Sequence, residues 1–130
     1  MLSLAALSAW AQETTSSVLD GAFTESQSQR GADGYSQNCA PCHGSSLSGV
    51  GEAPALVGAQ FISDFNDLTL GDLFDRIRTT MPQNNPAGFS REQYADILAF
   101  ILKVNGYPPG EKELDRRSEF LHVIRFEAPR

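Results

Sequence analysis

Both cysteines of this 130-residue chain lie in Cys39-Ala40-Pro41-Cys42-His43, three positions apart, and one of its two histidines closes the group. Few patterns constrain a small fold more. Three reactive side chains within one helical turn can face one object, and the remaining chain must then wrap it. Two thiols at this spacing can each add to a vinyl group of the same porphyrin, with the adjacent imidazole beneath the iron as a neutral nitrogen donor. The pattern is the attachment site of c-type haem. Two other uses compete. A thioredoxin-type dithiol belongs in a strand-helix-strand context, whereas helical patterns flank this one. A structural zinc needs four ligands, and beyond the motif only His122 is left as a nitrogen or sulfur donor of the usual kind.

Haem addition of this kind is completed outside the cytoplasm, and the start of the chain reads as an export signal. Leu2 to Ala9 are mainly apolar, and Ala9-Trp10-Ala11 offers small residues at the two positions a signal peptidase reads, so cleavage is predicted after Ala11. No Lys or Arg precedes the apolar stretch, which leaves an upstream start or a retained anchor as alternatives. The stretch is too short to cross a bilayer as a helix, and no later apolar run is long enough either. The expected division is therefore a signal at 1–11, a flexible leader at 12–22, one domain at 23–110 and a charged tail at 111–130. From Gln12 to Gly110 there are five basic and eleven acidic residues, whereas the tail holds five of each. The body thus carries the whole net charge of -6, which argues against binding nucleic acid or anionic lipid.

Periodicity indicates helices and no convincing strand pair. Ser26 to Asn38 reads as a first helix. Thr69 can cap a second, in which Leu70, Leu73, Phe74 and Ile77 share one face. Ser90 opens a third, with Gln93 completing a capping box and Tyr94, Ile97, Leu98 and Ile101 repeating the spacing. Asn105-Gly106 and Pro108-Pro109 stop it. Gly44 to Asp67 is rich in Gly and Ser and reads as irregular, a length a compact domain tolerates when it wraps something.

Once the signal is removed, Met81 is the one methionine, followed by Pro82 at the end of the second helix. A thioether at that non-helical corner suits a second iron ligand, since His/Met pairing is usual in electron-transfer cytochromes. The rival is His122, in the charged tail beyond the double proline, where a lone histidine is usually solvated.

Through Gly31 and Tyr35, Cys39 to Gly44, Ala53-Pro54-Ala55-Leu56, Met81-Pro82 and Tyr94 to Leu102, the chain resembles the small mono-haem class I cytochromes c. The resemblance runs from about Phe23 to Gly110. It implies an all-α fold of three to four short helices wrapped around one haem c, covalently bound through Cys39 and Cys42. The N- and C-terminal helices would cross where Gly31 lets the backbones approach, with Tyr35, Tyr94 and Leu98 packed around the contact. It also implies that the Pro54 carbonyl accepts the free N–H of His43, and that Leu56 and Phe61 pack on the haem. The lysine ring of mitochondrial members does not carry over to this acidic body. Phe65 stands where relatives often have tryptophan, which leaves Arg76 or Arg78 as candidates for a propionate.

With His43 and Met81 both on iron, no position is open, and one-electron exchange through an exposed haem edge is what remains. The expected function is a periplasmic electron carrier, free or as the cytochrome subunit of a dehydrogenase, with a dehydrogenase or respiratory complex as donor (quinoprotein alcohol dehydrogenases often carry similar haem domains) and an oxidase or another cytochrome as acceptor. A haem enzyme or sensor, with Met81 off the iron or displaceable, is the alternative.

Overall fold

The computed structural model describes residues 16–129, so the expected export signal and the first part of the leader lie outside the described residues. In chain order the elements are β1 (Ser16–Ser17), a single 3-10 turn (Val18–Asp20), α1 (Glu25–Asn38), α2 (Ala40–His43), α3 (Ala59–Phe65), α4 (Leu70–Thr80), α5 (Arg91–Val104), α6 (Ser118–Leu121) and β2 (Ile124–Arg125). The fold is all-α, with one minimal sheet.

Each long helix starts where its side chains can satisfy the orphan amides of the first turn. The Thr24 hydroxyl accepts the Gln27 N–H and starts α1 one residue before the expected position. Complete capping boxes, Thr69 with Asp72 and Ser90 with Gln93, open α4 and α5. α1 and α5 then cross at Gly31. A Cβ there would lie 1.7 Å from the Asp96 carbonyl oxygen, so the approach is open only to glycine. Tyr35, Tyr94, Ile97, Leu98 and Ile101 are buried in the core that the pair organises.

Four features depart from the expectations. The segment from Gly44 to Asp67 is not wholly irregular: α3 occupies Ala59–Phe65, a two-turn helix with no side-chain cap, too short to show a helical period. α5 is not the last helix, because α6 follows it. The leader does not hang free from residue 16 onward. Ser17 and Val18 are buried, Ser16 and Ser17 pair in parallel with Ile124 and Arg125, and Gly21 packs on Gly110, whose N–H donates to the Phe23 carbonyl at 2.6 Å.

The tail, fourthly, is more than a solvated charged appendage. Leu114, Leu121 and Phe126 are buried in it. Phe126 donates its N–H to the Leu68 carbonyl (2.8 Å) and accepts that of Asp67 (3.0 Å). The Gln27 side chain donates to the Leu114 carbonyl (3.2 Å) and accepts the Leu114 N–H (2.8 Å). The charges between these apolar residues hide them from a composition count, and pairing between chain ends leaves no local periodicity to read.

Candidate functional site

The cysteine motif sits at a chain reversal. Cys39 is at once the C-cap of α1 and the N-cap of α2, and Pro41 falls in the first turn of α2, where a missing N–H is tolerated. Both thiols are free, Cys39 half-buried and Cys42 exposed. Burial, with the Cys42 thiolate adding, pushes the Cys39 thiol up to about 11. It therefore stays protonated at neutral pH, the reverse of the low-pKa thiolate a dithiol oxidoreductase needs. Tyr35, one turn earlier, donates its hydroxyl to the Gly44 carbonyl at 2.6 Å and so ties α1 to the residue after the motif. Burial first, and Cys39 second, lifts the Tyr35 phenol to about 12.

His43 is buried, with Nδ1 2.8 Å from the Pro54 carbonyl oxygen. A carbonyl can only accept, so Nδ1 carries a hydrogen, and in the neutral ring the lone pair is then on Nε2. A tight loop builds this contact. The Gly49 N–H donates to the His43 carbonyl, and that of Leu56 to Leu47, both at 2.8 Å, while Val50 and Ala53 pair across the turn. Gly49 has φ +85°, and a Cβ would come within 2.7 to 2.9 Å of Ala53, Pro54 and Ala55 backbone atoms. Pro54 reaches His43 because position 49 lacks a side chain. Sequence reasoning singled out Pro54 and missed Gly49, whose one signal was a glycine five residues before the proline.

Leu56 is half-buried at the core margin, and Asn105, at the end of α5, donates to its carbonyl at 2.9 Å. Asn105 also accepts the Gly58 N–H at 3.1 Å, a second role that the sequence reading did not assign. Phe61 is buried in α3, its ring 5.2 Å from Phe65 and 6.3 Å from Phe126. Cys39, Cys42, His43 and Pro54 thus form one group, and the same loop leads to Leu56 and on to Phe61.

Met81 comes from a different element, the connection between α4 and α5. It is the C-cap of α4 in extended conformation; its N–H donates to the Ile77 carbonyl (2.9 Å) and its carbonyl accepts the Tyr94 hydroxyl (2.6 Å). Both polar backbone groups are fixed, so the thioether leaves from a held corner, half-buried. His122 differs. Its Nδ1 lies 3.1 Å from the Thr69 hydroxyl and its Nε2 3.0 Å from the Asp75 carboxylate, and the ring packs on Gly71, where a Cβ would lie 2.4 Å away. Rather than being solvated, it fastens the tail to α4, with both ring nitrogens engaged.

Among the described residues no three His, Cys, Asp or Glu side chains converge as a cage for a bare ion. The donors present are two free thiols on one turn, an imidazole with Nε2 unengaged among the described residues, and a thioether at a fixed corner. That set fits a porphyrin-held iron. No helix among the described residues is long and apolar enough to cross a membrane. A family model described as Cytochrome C oxidase, cbb3-type, subunit III matches residues 26–101, from α1 into α5. No curated protein and no solved structure matches the chain.

Proposed function

Because the chain belongs to this family of c-type cytochromes, and is a haem-based electron carrier rather than an enzyme, we propose that it binds one haem c covalently through Cys39 and Cys42, with His43 and Met81 as axial ligands. The carrying observation is the 2.8 Å contact between His43 Nδ1 and the Pro54 carbonyl beside two free thiols on one turn. Bound haem supplies one-electron exchange at its iron. The residues of the chain do the rest. Cys39 and Cys42 anchor the group as thioethers. Pro54 fixes the tautomer and plane of the His43 ring and makes Nε2 a stronger donor. Tyr94 and Ile77 hold the backbone of Met81, whose soft thioether favours the reduced state.

Two ligands fixed by backbone contacts reorganise little on electron transfer, which favours fast exchange. In this reading the carrier works in the periplasm, between a dehydrogenase as donor and an oxidase or another cytochrome as acceptor. Its acidic body suits a basic partner surface, met briefly through a small, partly electrostatic contact.

Carbon monoxide added to the reduced protein tests the ligand set. The expected result is no spectral change in the wild type. Met81→Ala should bind carbon monoxide and show a lower reduction potential. Rapid binding by the wild type would favour a haem sensor or enzyme, and an unchanged potential in Met81→Ala would remove Met81 as a ligand. A colourless mature protein, at the mass of bare polypeptide from a cell competent in haem attachment, would overturn the whole reading.

A further inference from the structure

Most cations of the described chain have an evident solution to their charge. Arg30 pairs with Asp96 and Glu113, Arg116 with Glu92, Arg117 with Asp115 and Arg125 with Glu127. Lys103 pairs with Glu25, while Arg76, Arg91 and Lys112 stand on exposed positions in water. Arg78 is different. It is half-buried, its Nε is sealed from solvent, and that nitrogen has no hydrogen-bond partner; it is the one such side-chain atom among the described residues.

A guanidinium N–H withdrawn from water without an acceptor is destabilising, and native structures rarely leave one so. The acid best spaced to serve it is Asp75, three residues earlier on α4. Asp75 is already engaged: its carboxylate accepts the Ser118 hydroxyl and the His122 ring, both at 3.0 Å. Both contacts fall on one carboxylate oxygen, Oδ2, and no ion pair joins Asp75 to Arg78. Arg78 stands one turn before Met81, and its carbonyl accepts the Ala87 N–H at 2.9 Å, which folds the loop after Met81 back over the end of α4. The unmatched donor thus belongs to the last turn of α4, which leads directly into Met81.

We propose that Arg78 is the anchor for a haem propionate, its Nε–H donating to that carboxylate. The inference rests on the haem reading above and deepens it. Haem carries two carboxylates, and a guanidinium whose buried Nε–H finds no acceptor among the described residues is suited to receive one. Arg78 is then a positioning and charge-balancing residue. By neutralising a carboxylate near the iron, it weakens that carboxylate's stabilisation of the oxidised state.

The test uses the purified holoprotein as Arg78→Gln and Arg78→Lys, with Arg76→Gln, the rival candidate exposed on the same helix, as the comparison. Haem content and mass of the wild type are measured first, since a haem-free wild type would sink the parent reading and not this one specifically. With haem present, Arg78→Gln should shift the propionate-bending band in resonance Raman. It should also lower the reduction potential and make it depend on pH where the freed carboxylate titrates. Arg78→Lys, which keeps the charge, should restore most of the potential, and Arg76→Gln should match the wild type. Arg78→Gln with wild-type Raman band, potential and pH profile would overturn the assignment. If Arg78→Gln does not accumulate, carboxyl-labelled haem in the wild type decides. One propionate ionising well below the other supports the pairing, and two titrating together overturn it.

Discussion

The crossing of α1 and α5 and the clasp of the two chain ends stabilise the same molecule by different kinds of information. The crossing is made of two capped helices of 14 residues and one absent side chain, at Gly31. The clasp joins residues 16–23 to 107–127 and closes over α4 through scattered contacts, one of them between Ser17 and Glu127, 110 positions apart. In the crossing the decisive features are local, so caps, periods and a glycine can be read directly. In the clasp they are relations between distant residues, and no window of sequence contains both partners.

The sharpest way to break this contrast is Gly31→Val. Its Cβ would sit 1.7 Å from a carbonyl oxygen on the opposite helix, a backbone atom that no rotamer change can move aside. Overpacking of this kind forces the helices apart, and we expect a loss of about 4 kcal/mol, near the upper end for single substitutions. Urea denaturation of the holoprotein, followed by far-ultraviolet circular dichroism, measures it. A loss under about 1 kcal/mol would mean that the crossing is looser than its geometry.

Phe126→Ala probes the other region with a smaller expected effect. The ring is fully buried, 5.5 Å from Tyr107 and 6.3 Å from Phe61, so truncation should leave a cavity and cost about 3 kcal/mol. The same denaturation experiment reads it. A near-neutral result would make the tail an accessory and restore the charged appendage that composition suggests.

What could be read in advance follows that division. The cap residues Thr69 and Ser90, the apolar faces they open, Gly31 and the cysteine motif each carry their meaning within a few positions, and the helices form close to where they were expected. Pro54 and His43 were linked by resemblance, but Gly49, which makes their 2.8 Å contact sterically possible, was not found. Its role depends on a close approach of loop backbone that follows only from the fold. Val18, Leu114, Leu121 and Phe126 were hidden for a related reason. Leu114 and Phe126 each stand between two charged residues, and Val18 and Leu121 each have a single apolar neighbour, too little to show a period. The tail residue that attracted notice, His122, did so through its chemistry as a rival iron ligand, whereas both its ring nitrogens meet residues of the α4 region, Thr69 and Asp75.

His122→Ala separates those two tasks with the smallest expected effect. Asp75 is an acceptor, so His122 Nε2 carries a hydrogen toward it, while Nδ1 meets the Thr69 hydroxyl that caps α4. Removing the ring takes two hydrogen bonds from a partly exposed contact, a loss of about 1 kcal/mol. If the tail's polar contacts help to hold α4, stability falls by that amount while the absorption spectrum and sixth ligand stay unchanged. Unchanged stability would mean that apolar residues alone close the clasp. A lost sixth ligand would give His122 the axial role proposed for Met81, and the clasp would then belong to the site rather than to the scaffold beneath it.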